Sequence, residues 1–166
     1  MTGTRYWLGL GANLGDRWGA LEAAVCALAD AGVTIEAVSA VYETAPRDLD
    51  DQPSFLNAAA RVHSECTPPE LLTVVKGIER QLGRDPGGRR FGPRVIDCDL
   101  LLWDGGRWDA ADLEVPHPRL AERRFALVPL LELDHGLAHP DDTPLAGLEA
   151  ALHASEQAER RLDREL

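Results

Sequence analysis

Cysteine is scarce, with only Cys26, Cys66 and Cys98 in 166 residues. No two of them form a C-x-x-C pair and the count is odd, so neither a zinc site nor a disulfide framework fits. All three are expected to be reduced, small and mostly buried side chains. Long apolar runs are missing as well. No stretch of about 18 apolar residues occurs, which excludes a transmembrane helix. The opening MTGTRYWLGLGAN lacks the basic start, apolar run and small-residue cleavage site of a signal peptide, so a cytoplasmic location is expected. Basic residues are few, 17 against 28 acidic, for a net charge of -11. That balance argues against a broad nucleic-acid-binding face, and no membrane partner is expected.

What remains is an ordinary soluble composition, 45% hydrophobic and 27% charged. A chain of this length makes one domain, taken here as residues 1–166, and can bury a core without disulfide or metal staples. There are no repeats and no low-complexity segments. Tyr6–Leu10 reads as a strand. Asp16 can cap a helix running to about Ala31, with Gly32 as its stop. Val33–Thr44, rich in β-branched residues, reads as one long strand. Ala45–Pro53 is a loop, and Phe55–Glu65 a third strand. Thr67-Pro68-Pro69-Glu70 is a capping box with proline in the first turn. It opens a helix whose apolar stripe is Leu71, Val75, Ile78 and Leu82, ended by Gly83. Asp85–Pro93 is a glycine- and proline-rich loop, expected to be the most mobile internal segment without ligands and to become ordered when ligands bind. Val95–Trp103 is a strand, Asp104-Gly105-Gly106 a turn, and one short strand precedes Pro116. Phe125–Leu133 and the tail from Leu145 read as helices. The order β-α-β-β-α-β with C-terminal additions predicts an α+β, ferredoxin-like antiparallel sheet with helices on one face.

Val95-Ile96-Asp97-Cys98-Asp99-Leu100-Leu101 carries the sharpest chemistry. Alternation along a strand points Asp97 and Asp99 one way and Ile96, Cys98 and Leu100 the other. Two neighbouring carboxylates repel and resist desolvation, and a divalent cation such as Mg²⁺ removes both problems. A strand end with its acids in water is the plainer alternative. Arg84, Arg89, Arg90 and Arg94 lie just upstream, where Arg84–Arg94 carries a net +3. Guanidinium groups match phosphate oxygens bidentately, so a small anionic ligand fits this loop better than a polyanion. Carboxylates beside such arginines are the equipment of phosphoryl-type transfer.

Other residues read more ambiguously. Gly9 to Gly15 has the spacing G-x-G-x-x-x-G, one residue too long for a dinucleotide fingerprint; a tight strand-to-helix turn explains the glycines. His117, between Pro116 and Pro118, fits a structural role or a functional one. Phe55 and Phe125 fit core packing or stacking on a flat ligand. Asn57 could read a heterocycle edge or be satisfied locally.

Arg90-Phe91-Gly92-Pro93-Arg94-Val95-Ile96-Asp97-Cys98-Asp99-Leu100-Leu101 closely resembles the signature of the 6-hydroxymethyl-7,8-dihydropterin pyrophosphokinase family of folate biosynthesis. The likeness extends to Leu8–Asp16, Tyr42–Pro46, Asp51–Asn57, Val115–Arg119 and Arg123-Arg124-Phe125. These segments run in family order across residues 8 to 134. The resemblance implies transfer of the β,γ-diphosphate of ATP, as one unit, to the hydroxymethyl group of the reduced pterin, with AMP released. It implies two Mg²⁺ ions held by Asp97 and Asp99, with Asp97 also near the pterin hydroxyl. Arg84 and Arg94 would be catalytic phosphate contacts beside the two aspartates. Glu79, His117 and Arg123 would lie on the nucleotide side. Thr44, Ala45, Pro46, Arg47, Phe55, Asn57, Phe91 and Phe125 would form the pterin pocket, with Phe125 stacking on the ring.

Some positions depart from the family pattern. Cys98 replaces the usual aliphatic residue, Phe91 a frequent tryptophan and Phe55 a frequent tyrosine. Pro86, Asp112 and Glu114 stand where some members carry arginine, polar or basic groups. No covalent nucleophile is evident, and no fused folate-pathway domain is seen, so a stand-alone, monomeric enzyme is expected. Two other classes share parts of this equipment: a metal-dependent nucleotidyltransferase or phosphohydrolase with a D-x-D pair, and a non-catalytic ligand-sensing module of the same fold.

Overall fold

Eight strands and four helices make up the architecture, as given by a computed structural model that describes residues 2–45, 51–83, 95–152, 158–161 and 165–166. In chain order they are β1 (Thr4–Ala12), α1 (Arg17–Asp30), β2 (Thr34–Val38), β3 (Tyr42–Thr44), β4 (Phe55–Ser64), α2 (Pro68–Gln81), β5 (Asp97–Trp103), β6 (Trp108–Ala110), β7 (Leu113–Val115), α3 (Arg124–Leu133), α4 (Leu145–Leu152) and β8 (Ala158–Arg160). The main sheet runs β5-β1-β4-β3-β8, with β2 also on β4, and β6 and β7 form a separate hairpin. Among the described residues, every strand pairing is antiparallel. The α+β, ferredoxin-like β-α-β-β-α-β plan is therefore present, with β1 and β4 at its centre.

Local chemistry accounts for the helix ends. The Asp16 carboxylate accepts the Gly19 N–H at 3.0 Å and opens α1. Gly32, at φ +85°, takes the left-handed conformation that ends it. At α2, Glu70 accepts the Thr67 N–H at 2.8 Å and the Thr67 hydroxyl at 2.7 Å.

The expected single strand over 33–44 is two strands. Ser39 interrupts it: its N–H donates to the Ala59 carbonyl at 2.9 Å, while its own hydroxyl oxygen accepts the Ala59 N–H at 2.8 Å. A side chain thus replaces a backbone partner, and the chain re-enters the sheet at Tyr42. The one short strand expected before Pro116 is likewise two, β6 and β7.

Helices cover both faces rather than one. Tyr6, Leu8, Leu10, Ala58, Ala60, Val62, Cys98 and Leu100 pack with Leu21 and Leu28 of α1 and Leu71, Val75 and Ile78 of α2. The opposite face presents Trp7, Ala59 and Leu101, which bury against Leu127 and Leu130 of α3 and Leu145 of α4. Apolar side chains on both sides of a sheet need cover on both sides. The C-terminal tail also departs from expectation, because after α4 the chain returns as β8 beside β3. Ala158-Glu159-Arg160 has no strand propensity, so tertiary pairing decides there. Cys26 is exposed and Cys66 half-buried; only Cys98 has the buried setting expected for all three. The loop at 85–93 lies outside the described residues. Among the described residues, no helix is long and apolar enough to cross a membrane.

Candidate active site

The period of β5 sorts its side chains as the sequence suggests. Ile96, Cys98 and Leu100 are at most 3% exposed on the α1/α2 side. Asp97, Asp99 and Leu101 line a cavity of about 190 Å³ on the other. Strand β1 makes room for them. Gly11 lies opposite Asp97 and Gly9 opposite Asp99, and Gly11 also pairs with Asn57 of β4. A Cβ on Gly9 would stand 3.2 Å from Leu101, and one on Gly11 3.0 Å from Asn57 Oδ1. These two glycines are thus the hollow floor of the cavity. Of the glycines from Gly9 to Gly15, only Gly15, at φ +68°, serves the strand-to-helix turn expected of the whole run. Two glycines spaced i, i+2 within a strand were the available signal.

One end of the cavity is aromatic and amide-like. The rings of Phe55 and Phe125 line it, with Thr44, Ala45 and Gln52. Asn57 donates from Nδ2 to Thr44 Oγ1 at 2.7 Å. Its Oδ1 takes no partner among the described residues. Asn13, 1% exposed, donates to Gln52 Oε1 at 2.9 Å and to the Pro53 carbonyl at 3.1 Å, fixing the loop that brings Gln52 to the wall. Neither Asn13 nor Gln52 was singled out from sequence; a buried amide just past a strand end was the clue.

The other end is charged. Burial, and then the neighbouring charge of Asp97, push the Asp99 carboxyl up to about 7. Lys76 and the Arg123 guanidinium, 3.8 Å away, oppose that rise. Arg123 also lies 5.6 Å over the Phe125 ring. His117 is pushed down to about 4, first by burial and then by Arg123, so its ring is neutral near pH 7. Its Nδ1 accepts the Arg119 N–H at 3.1 Å, which assigns the ring proton to Nε2. Its own N–H donates to the Leu101 carbonyl at 2.9 Å and pins the His117 segment to β5.

A second cavity, about 350 Å³, opens between Leu72 and Lys76 of α2, Cys98, Asp99 and Leu100 of β5 and the β6–β7 hairpin. Asp112 and Glu114 lie on that hairpin wall. Asp99 and His117 line both cavities, so the two meet at these residues.

Nine of the residues selected from sequence therefore converge on the first cavity: Thr44, Ala45, Phe55, Asn57, Asp97, Asp99, His117, Arg123 and Phe125. Pro46, Arg47, Arg84, Phe91 and Arg94 lie outside the described residues. Glu79, expected on the nucleotide side, lines neither cavity. It is 1% exposed, accepts the Cys98 N–H at 2.9 Å and pairs with Lys76 at 3.2 Å. It grips the strand from behind, at the amide between the two aspartates.

The donor set suits a hard dication. Two carboxylates share one face, and burial together with the Asp97 charge raises the Asp99 carboxyl to about 7, a penalty that a bound dication would relieve. Among the described residues, no third carboxylate, histidine or cysteine joins them in a metal-binding group. Two carboxylates with the remaining positions left to phosphate and water is the Mg²⁺ pattern.

Residues 7–135 match the family model for 7,8-dihydro-6-hydroxymethylpterin-pyrophosphokinase. The chain is 47% identical over 131 residues to the 2-amino-4-hydroxy-6-hydroxymethyldihydropteridine pyrophosphokinase of Methylorubrum extorquens, covering 78% of this chain and 82% of that one. It is 43% identical over 128 residues to the Bacillus subtilis protein of the same name, covering 76% of each. It is 41% identical over 146 residues, 88% of its length, to a mitochondrial folate synthesis bifunctional protein of Arabidopsis thaliana, but spans only 26% of that protein. Among solved structures, an HPPK-DHPS in complex with substrates superposes with a TM-score of 0.74 at 13% identity, over 93% of this chain and 44% of that one. That likeness concerns the fold alone.

Proposed function

Because this chain belongs to the 7,8-dihydro-6-hydroxymethylpterin-pyrophosphokinase family, we propose that it transfers the β,γ-diphosphate of ATP to 6-hydroxymethyl-7,8-dihydropterin in folate synthesis. The observation that carries this reading is the meeting of two cavities at Asp99 and His117, with Asp97 beside Asp99 on the wall of the first. The first cavity, aromatic with an amide wall, suits a flat heterocycle. The second, between α2 and the β6–β7 hairpin, suits a nucleotide whose phosphates reach the carboxylates.

In the reaction the pterin hydroxyl oxygen attacks the β-phosphorus, the bond from that phosphorus to the α-bridging oxygen breaks, AMP leaves with that oxygen, and the hydroxyl proton passes to solvent. Such transfers depend on positioning and charge neutralisation more than on covalent chemistry. Asp97 and Asp99 would hold Mg²⁺, which when bound supplies Lewis-acid neutralisation of the phosphate oxygens. Phe55 and Phe125 sandwich or flank the ring, Asn57 Oδ1 accepts from its amide edge, and Asp97 accepts the hydroxyl proton in a hydrogen bond. Neutral His117 donates from Nε2 to a phosphate oxygen, and Arg123 offsets phosphate charge. By the family resemblance, Arg84 and Arg94 contact the transferred phosphates, and Pro46, Arg47 and Phe91 complete the pterin side. Glu79 acts through the strand rather than on the nucleotide. A single domain over 1–166, a monomer and a cytoplasmic location complete the reading; the one sheet shared by β1 and β8 supports the first of these.

The test is an assay with ATP, Mg²⁺ and 6-hydroxymethyl-7,8-dihydropterin. AMP and pterin diphosphate should appear in equal amounts, and omission of the divalent cation should abolish both. ADP as product would point to a simple kinase. Pyrophosphate or phosphate as product would point to a nucleotidyltransferase or phosphohydrolase, and binding without turnover to a sensing module.

A further inference from the structure

The family match ends at residue 135, yet the chain comes back to the site beyond it. Strand β8 pairs with β3 in the register Thr44↔Ala158, Glu43↔Glu159 and Tyr42↔Arg160, and the Arg161 N–H donates to the Val41 carbonyl at 2.7 Å. Without it β3 would be a three-residue edge strand, held on one side only. Successive side chains then reach opposite faces. Arg160 meets Glu132 of α3 at 3.5 Å, and Glu132 also accepts the Tyr42 hydroxyl and, at 3.0 Å, the Ala40 N–H. Arg161 stands 3.8 Å from Glu43 and lies 6.0 Å over the Trp18 ring of α1. Glu43 is in turn bound by Arg17 at 2.8 Å. The last residue of β3 is Thr44, the cavity wall whose hydroxyl orients Asn57.

We propose that β8 is a positioning element for the heterocycle end of the first cavity. By completing the sheet beyond β3 and tying it to a helix on each face, it fixes Thr44. Thr44 in turn holds the Asn57 amide with Oδ1 toward the cavity. The proposal rests on reading that cavity as the pterin site. It assigns a specificity role to a segment outside the family-matched region, and it places that role on one substrate only.

Three variants of the full chain test it. Arg160→Ala/Arg161→Ala removes both side-chain ties, Arg161→Pro removes the N–H to Val41, and Arg160→Lys/Arg161→Lys keeps the charges. The first two should raise KM for the pterin about fivefold or more, with KM for ATP and kcat near the unaltered values; the lysine pair should restore most of the loss. Unchanged pterin KM in a folded double-alanine variant overturns the proposal. So does an equal rise for both substrates, which marks general loosening. Hydrogen exchange at residues 42–45 gives a readout without turnover: protection there should fall in the double-alanine variant while α2 stays protected. If the unaltered chain yields no AMP, the proposed function fails by itself. The exchange result still decides whether β8 holds Thr44. The double-alanine variant retains the backbone ladder, so it decides the matter even if Arg161→Pro does not fold.

Discussion

Strand β5 separates two environments that differ in almost every respect although they share one backbone. On the α1/α2 side, Ile96, Cys98 and Leu100 are buried in apolar packing, with Cys98 and Leu100 forming part of the inner wall of the second cavity. On the other side, Asp97 and Asp99 stand over a floor of glycines, and Asp99 keeps 28% of its side chain exposed. Along three residues, parity alone decides whether a side chain serves stability or chemistry. The first face tolerates only apolar volume; the second carries charge repulsion that packing would not select. Substitutions on the two faces should therefore move different observables.

The largest effect is expected from Asp97→Asn and Asp99→Asn. Each keeps size and strand geometry but removes one charge from the proposed metal site. Turnover should fall by orders of magnitude, while the thermal midpoint should hold or rise because carboxylate repulsion is relieved. AMP release and thermal unfolding, measured on the same preparations, check this. Full activity in Asp97→Asn would remove the metal assignment.

Glu79 bridges the two faces, so it tests whether they are truly separable. It comes from α2 on the packed side and ends on the amide between the aspartates. Glu79→Ala leaves the buried Cys98 N–H unpaired and should cost roughly 1–3 kcal/mol. It should also lower turnover through the disturbed strand. Glu79→Gln keeps an acceptor for that amide and should recover much of the stability. Denaturant unfolding with steady-state rates makes the comparison. Equal stability in the alanine and glutamine variants would mean that the amide contact contributes nothing.

The difference between what could be read in the sequence and what could not has the same physical origin. Period-2 alternation, the N-terminal capping residues and the helical stripe of α2 are local signals, and they carried β5, α1, α2 and the ferredoxin-like order. The aspartates, Asn57 and the phenylalanines could be nominated because their residue types were out of keeping with their strands or were few. What local pattern did not carry was the division of 33–44 at Ser39, where a hydroxyl replaces a backbone partner from β4. Nor did it carry β8, whose sequence favours helix and whose pairing is tertiary. Nor did it carry the role of Gly9 and Gly11, since glycine in sequence does not distinguish a bend from a hollow. Glu79 could be named only by resemblance, and its buried contact with the Cys98 amide depends on how α2 packs on β5.

A smaller effect should appear on the chemical face when pH is varied. His117 has its pKa lowered to about 4 by burial and by Arg123. The unfolded chain takes up this proton near pH 6.5, whereas the native ring stays neutral until about pH 4. The stability contribution is therefore full above about 6.5 and is lost as pH falls toward 4. The thermal-midpoint difference between the unaltered chain and His117→Asn should shrink over that window. Asp99 titrates in both proteins and drops out of the difference. A difference independent of pH would mean that the imidazole is not buried as a neutral group.

The smallest effect belongs to the packed face. Cys98 is 1% exposed, and burial, followed by the nearby Asp99 and Glu79 charges, pushes its thiol well above the usual range. It is neutral and acts as a small apolar side chain. Its backbone N–H, not its sulfur, is the group that Glu79 holds. Valine roughly conserves the volume and keeps that N–H, so Cys98→Val should cost about 1 kcal/mol or less and leave turnover near normal. The added β-branch suits a strand. Thermal unfolding and AMP release again give the two readouts, now with their sensitivities reversed relative to Asp97→Asn. If Cys98→Val abolished turnover in a protein of unchanged stability, the thiol would belong to the chemical face. The parity of β5, and with it the pairing of Asp97 with Asp99 over the glycine floor, would then be wrong.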